Sequence, residues 1–372
     1  MKKRIISSIL IFTLSLSFLF SCSKSEKQTA ESFQYFDTYS TLTVYCDEQE
    51  FLKYSQEFKS TLKKYHELFD IYNNYEGITN LKSLNEQAKK APVNVSDELF
   101  NALTYSKELC SLTKGKFNPA LGAITSIWHE VRSTANDLNE SISFPSKEAI
   151  SAALSHTNPE ALILDSTDKT VFFKDAELLL DLGGIAKGYV ASLLSKRLIA
   201  LGCESFLLNL GGNVIAQGTR YDGSPWSIGI ENPFDDKSLG FNEPLALSNS
   251  TLVTSGSYQR FFTYNDKVYS HIIDTETGYP SDRFSSVSVL APSDSSGLAD
   301  ALSTALFCMS YEDGLSLIEK IGGVSALWVF NDGSYKSSVG FGGIVPTGKT
   351  SKFSLSSDLT TISFQFFTLP LK

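Results

Sequence analysis

The longest apolar run stands at the start, Ile5 to Phe20, directly after Met1-Lys2-Lys3-Arg4. Beyond it the pattern changes to amphipathic periods. Thr38–Tyr45 alternates apolar and polar positions and predicts a strand, whereas Phe51–Phe69 carries apolar residues at helical spacing. Tyr72–Gly77, with Asn73 and Asn74, reads as a loop. Leu99–Leu112 predicts a helix ending before Lys114-Gly115, and a second helical stretch follows Phe117-Asn118-Pro119 and runs through Trp128. Ser133–Asn158 is polar and turn-rich, a surface connection. From there strands dominate: Leu162–Leu164, Val171–Phe173, Leu178–Leu180, Phe206–Leu210, Trp226–Glu231, Leu252–Phe262, Lys267–Ile273 and Ser285–Ala291. The pair either side of Asn265-Asp266 reads as a hairpin, and Leu298–Met309 as a helix.

The most informative junction is Asp181–Tyr189, DLGGIAKGY. The apolar Glu177–Leu180 segment precedes it, and Val190, Leu194, Leu198 and Leu201 follow at roughly helical spacing up to Gly202. A chain that passes through two glycines into a helix leaves backbone N–H groups free at the helix start and lets a ligand come close. Lys187 in that first turn opposes the helix dipole, and a neighbouring anion would account for it. An ordinary turn with a solvated lysine fits the same nine residues. A P-loop is excluded because Gly188 is followed by Tyr189, and the dinucleotide fingerprint lacks its third spaced glycine.

The basic start and apolar run predict a secretory signal over residues 1–21, and Leu19-Phe20-Ser21-Cys22 is an imperfect lipobox that would leave Cys22 as a lipidated first residue. A plain signal peptide or an uncleaved anchor are the alternatives. Residues 22–32 are polar and read as a tether, leaving 33–372 as the folded domain. Removing residues 1–21 leaves 29 of the 32 basic residues and all 41 acidic ones, a net charge of −12. That charge argues against a nucleic-acid partner. It also requires that any phosphate ligand be held by a local device and not by the overall field. Cys46, Cys110, Cys203 and Cys308 are widely spaced, without a CxxC, and read as buried thiols.

Two further groups can carry chemistry. Asp300 and Thr304 stand at i and i+4 on the last predicted helix and project from one face, supplying hard oxygen ligands of the kind magnesium takes; a solvated stripe has the same spacing. His271, one of four histidines, precedes the turn Asp274–Gly278, where a neutral imidazole could accept a hydroxyl proton, or simply be structural. Thr254-Ser255-Gly256 offers hydroxyls and a close backbone approach.

Taken in order, GKFNPALGAITSIW at 115, DLGGIAKGY at 181, NLGGNVIAQG at 209, PWSIGIENP at 225, TSGSYQRFF at 254, SHIIDTETGYP at 270 and ADALSTALF at 299 resemble the motifs of the ApbE family of FAD:protein FMN transferases. The resemblance implies an ApbE-like α+β domain with mixed or antiparallel sheets packed with helices. It implies magnesium-dependent transfer of FMN from FAD to a Ser or Thr hydroxyl of a partner flavoprotein of the redox-pump type, with release of AMP. Magnesium would be held by Asp300, Thr304 and the carbonyl of Gly184. FAD would be contacted by Lys116, Phe117, Asn118, Asp181, Lys187 and Ile273, and His271 would take the acceptor's proton. The chain departs from the family pattern at Phe36-Asp37-Thr38, at Asn118, at Thr275-Glu276 and at Ser303. A lipid-anchored enzyme on the extracytoplasmic side of the cell membrane is the expectation. An FAD pyrophosphatase and a non-catalytic flavin-binding lipoprotein are the rivals.

Overall fold

Period-two burial along extended segments builds the centre of the molecule, which is described here by a computed structural model over residues 26–136, 142–234 and 244–342. Eight strands form one antiparallel sheet in which spatial order follows chain order: β1 (Glu26–Ser32), β2 (Ser40–Cys46), β3 (Phe206–Leu210), β4 (Asn213–Gln217), β5 (Ser250–Gly256), β6 (Ser286–Pro292), β7 (Ser325–Val329) and β8 (Tyr335–Ser337). Phe206, Leu208, Leu210, Ile215, Val253, Val287 and Val289 enter the main core on one face. Ala216, Leu252 and Leu290 enter a smaller core on the other, together with Trp226, Ile228 and Leu247 of the hairpin Trp226–Ile228/Leu245–Leu247.

The main helices are α1 (Glu48–Phe69), α2 (Asp97–Leu112), α3 (Gly122–Asn136), α4 (Ala186–Ala200) and α5 (Ser296–Phe307). Helix α1 begins at Asp47, whose carboxylate accepts the Glu50 N–H at 3.0 Å, and buries Tyr54, Phe58, Leu62, Tyr65 and Phe69 along one stripe. Helices α4 and α5 lie on the main-core face of the sheet, and α1 packs over α4. Because α4 is enclosed between neighbours, its buried residues occupy several faces, Val190, Ala191, Leu193, Leu194 and Leu198 among them. The fold is therefore α+β, as the motifs implied.

Most predicted elements are present within a residue or two, and Asn265 and Asp266 turn the hairpin Phe261–Tyr264/Lys267–Ser270 with φ of +47° and +58°, the conformation a two-residue type I′ loop needs. Several expectations are corrected. The polar stretch read as a tether is β1 from Glu26 to Ser32, paired along its whole length with β2, so the folded domain begins before residue 33. As an edge strand it buries only Ala30 and Ser32, and the main-chain ladder needs no apolar stripe. Leu178–Leu180 is extended but joins no ladder, because Asn85 holds Leu180 by both backbone groups, at 2.8 and 3.0 Å, and Gly122 N–H donates to Leu179 O at 2.9 Å. Leu252–Phe262 is two strands with a turn between them, and the strand expected over Trp226–Glu231 stops at Ile228. The connection 133–158 contains the helix Lys147–Leu154. The signal segment and Cys22 lie outside the described residues.

Candidate active site

The turn Asp181–Gly184 is shaped by Asp181 itself. Its Oδ1 accepts the Gly183 N–H and its Oδ2 the Thr125 hydroxyl, both at 2.8 Å, and its own N–H donates to Pro119 O at 2.9 Å. Helix α4 starts immediately afterwards at Ala186, and Ile185 at the cap position offers no side-chain acceptor. The acceptor comes instead from α5: Asp300 Oδ2 takes the Gly188 N–H at 2.8 Å. This crossing requires glycine, since a Cβ at position 188 would sit 2.5 Å from the Cβ of Asp300.

Thr304, one turn along α5 from Asp300, donates to the carbonyl oxygen of Gly184 at 3.5 Å. Asp300 and Thr304 thus share a helix face, as their i, i+4 spacing predicted, and Gly184 joins them, as the family resemblance implied. Asp300 is 4% exposed, and burial raises its pKa, opposed by Lys187, by the Gly188 N–H and by the side chain of Asn213. The Oδ1 of that same Asn213 is buried without a hydrogen-bond partner. The Asp300 carboxylate, the Thr304 hydroxyl and the Gly184 carbonyl make a donor set of hard oxygens, chemically suited to a cation such as Mg²⁺. Ser303 has no part in it. Its hydroxyl bonds Asp300 O at 3.0 Å and meets Ser255 Oγ at 2.8 Å, tying α5 to β5.

Lys187 stands half-buried in the first turn of α4, and among the described residues no carboxylate lies within ion-pair distance of it. Its charge acts on both Asp300 and His271. His271 follows the hairpin strand that ends at Ser270, and its pKa is pushed down to about 3, first by burial and then by the cations Lys187, Arg260 and Arg132. Its Nδ1 lies 3.1 Å from the backbone carbonyl of Arg260. A carbonyl only accepts, so Nδ1 carries the proton and Nε2 keeps its lone pair. The imidazole is therefore neutral, with one nitrogen able to accept a proton.

The segment 116–118 approaches Gly184 from the other side. The Phe117 ring is buried, and a Cβ at Gly184 would touch it at 3.4 Å. Lys116 is tied to the turn after His271, with Glu276 Oε1 at 2.9 Å and Asp274 Oδ1 at 3.9 Å, while Arg283 approaches the other Asp274 oxygen at 3.6 Å. Asn118 spans two segments: its amide nitrogen donates to Thr157 O at 2.8 Å and its Oδ1 accepts the Ala120 N–H at 2.9 Å. An aspartate could not make the first of these bonds. Ile273 is buried in the small core with Ile124, Trp128 and Ile150, and its carbonyl accepts from the Cys308 thiol at 3.4 Å.

Four contributors escaped the sequence reading: Thr125, Asn213 and Arg260 inside the motifs, and Arg132 just past the end of the first motif. Nothing in the sequence marked Asn85, a polar residue in the short helix Leu81–Gln87.

A family model described as the ApbE family matches residues 36–328. The FAD:protein FMN transferase of Treponema pallidum is 34% identical over 276 residues, covering 70% of this chain and 73% of that protein. A Klebsiella pneumoniae protein of the same name is 32% identical over 275 residues, 72% of this chain and 79% of its own length. Among solved structures, the ApbE protein of Thermotoga maritima superposes with a TM-score of 0.74 at 26% identity, over 85% of this chain and 98% of that one. The matched range includes the glycine turn, the hairpin before His271 and α5, and on that extent the chain belongs to the ApbE family.

Proposed function

We propose that this chain is an FAD:protein FMN transferase that moves FMN from FAD to a Ser or Thr hydroxyl of a partner protein and releases AMP. The observation that carries the reading is the neutral imidazole of His271, its Nε2 free, sharing the field of Lys187 with the oxygen cluster of Asp300, Thr304 and Gly184. The names of the relatives agree with it. In the reaction the acceptor oxygen attacks the FMN-side phosphorus. That phosphorus loses its bond to the bridging oxygen, which leaves with AMP and the bonding electrons, and the hydroxyl proton passes to His271 Nε2.

Each residue contributes through position and charge. Lys187, in the first turn of α4 and without an ion-pair partner among the described residues, suits the diphosphate of FAD, an anion that the acidic molecule as a whole would repel. Asp300, Thr304 and the Gly184 carbonyl would hold Mg²⁺, whose chemistry when bound is neutralisation of the charge that develops on the leaving group. Asp181 keeps the turn that presents Gly184, and Phe117 walls it. His271 supplies the base without which an alcohol is a poor nucleophile.

Two variants separate the roles. His271→Asn should keep FAD binding and lose flavin transfer by about 10²–10⁴, the usual contribution of one general base. Asp300→Ala should lose turnover, or require far more magnesium, with the fold unchanged in circular dichroism. Wild-type transfer by His271→Asn, or an unaltered magnesium dependence in Asp300→Ala, would overturn the reading.

The same proposal places the enzyme outside the cytoplasmic membrane on a lipid at Cys22. Intact mass of membrane-extracted protein should show cleavage before Cys22 and added acyl chains, and a soluble species starting elsewhere would refute it.

A further inference from the structure

We infer that Arg260 is a positioning residue that holds His271 in its proton-accepting tautomer by anchoring a turn to a distant loop. The carbonyl of Arg260 receives two hydrogen bonds from His271, from its backbone N–H at 3.0 Å and from Nδ1 at 3.1 Å. The direction in which Nε2 faces therefore depends on where that one carbonyl sits. Arg260 lies in the turn between β5 and the strand Phe261–Tyr264, and it is exposed, so no core packing of its own fixes it. Its carbonyl continues the ladder of the hairpin Phe261–Tyr264/Lys267–Ser270, and the far end of its side chain anchors the turn to the rest of the molecule. The Nη2 group forks onto two successive carbonyls, Asp37 O at 2.9 Å and Phe36 O at 3.2 Å.

The receiving loop is itself held. Phe36 and Asp37 adopt left-handed backbone, φ +59° and +48°, which turns their carbonyls toward a common donor. The Phe36 N–H donates to His66 Nδ1 at 3.3 Å, and the two rings meet edge-on with centroids 5.7 Å apart. One guanidinium thus joins the loop between β1 and β2 to the carbonyl that orients the base, across 224 residues of chain. The same cation, with Lys187 from α4 and Arg132 from α3, also disfavours protonation of the imidazole.

The inference rests on His271 as the base, and the two fail separately. The chain holds four histidines, so selective ¹⁵N labelling of the imidazoles gives an assignable long-range ¹H–¹⁵N spectrum of the full protein. In Arg260→Ala a population protonated at Nε2 should appear for His271, and kcat for flavin transfer should fall about 10²-fold, the scale of a misplaced catalytic group, with KM for FAD held within threefold. Methylguanidinium added to this variant should restore part of kcat. Should Arg260→Ala not fold, Arg260→Lys serves, because its stem ends short of the guanidinium's reach; a mixed tautomer and an intermediate kcat are expected. A pure Nδ1–H tautomer in the folded variant, or a loss confined to KM, overturns the positioning role whatever His271→Asn does. Wild-type transfer by His271→Asn sinks the base reading and leaves the tautomer result to stand or fall alone.

Discussion

His271 carries the sharpest consequence at the scale of single residues. With its pKa pushed down to about 3, it is unprotonated throughout the neutral range, whereas an ordinary histidine would begin to charge near 6.5. The acid limb of kcat/KM, which reports the free enzyme, should therefore show no His271 titration between pH 5 and 8. A limb centred near 6.5 that vanishes in His271→Asn would contradict the burial and cation field described here. The stability consequence has the same origin. Between the folded value near 3 and the unfolded 6.5 the unfolded chain binds the extra proton, so this group's contribution is complete above 6.5 and is lost as the pH falls toward 3. Acid unfolding followed by fluorescence should be shallower for His271→Asn over that window, and an equal slope would argue against it. Lys116 shows where residue-level reading stopped. The family resemblance marked it as a flavin contact, but nothing in a linear sequence shows that Glu276, about 160 positions later, meets it at 2.9 Å. Glu276 is 68% exposed, so the pair is worth about 0–1 kcal/mol, and Glu276→Gln should tighten FAD binding by no more than about fivefold by calorimetry. A larger gain would mean that Glu276 blocks the site.

At the scale of elements, α4 and α5 make the site by crossing at Gly188. A methyl there would press on Asp300 and Ser296, and overpacking of this kind costs about 1–3 kcal/mol. Gly188→Ala should accordingly lower the melting temperature and weaken the response to magnesium together, while loss of stability alone would show that Asp300 keeps its place. The helices and the inner strands were legible because their burial follows a period, as in Phe58, Leu62, Tyr65 and Phe69 of α1, or Phe206, Leu208 and Leu210 of β3. Elements whose backbone partners are nonlocal were not. Strand β1 is polar because it is an edge held by β2, and Leu178–Leu180 is apolar and extended yet paired by the side chain of Asn85. The site reads the same way: Asp300 and Thr304 were found by helical spacing, but Asn213 and Arg260 reach it through sheet and turn geometry that no spacing encodes.

For the whole molecule, an acidic chain gathers Lys187, Arg132 and Arg260 around one imidazole while its net charge repels anions elsewhere. On the proposed function, that arrangement serves a substrate whose charge lies in a diphosphate, and a base kept neutral beside it serves an acceptor that arrives with a hydroxyl. The central claim is that the acceptor, and not water, takes the FMN. The most direct measurement is the stoichiometry of covalent flavin to AMP when the enzyme is incubated with FAD, magnesium and a polypeptide that presents an acceptor Ser or Thr, read by intact mass after denaturation alongside chromatography of the nucleotides. The account predicts an acceptor mass increased by FMN less water, in equal amount to the AMP released, and AMP formation that accelerates with acceptor concentration. Free FMN and AMP produced at one rate with or without acceptor, and no flavin left on the denatured polypeptide, would contradict it.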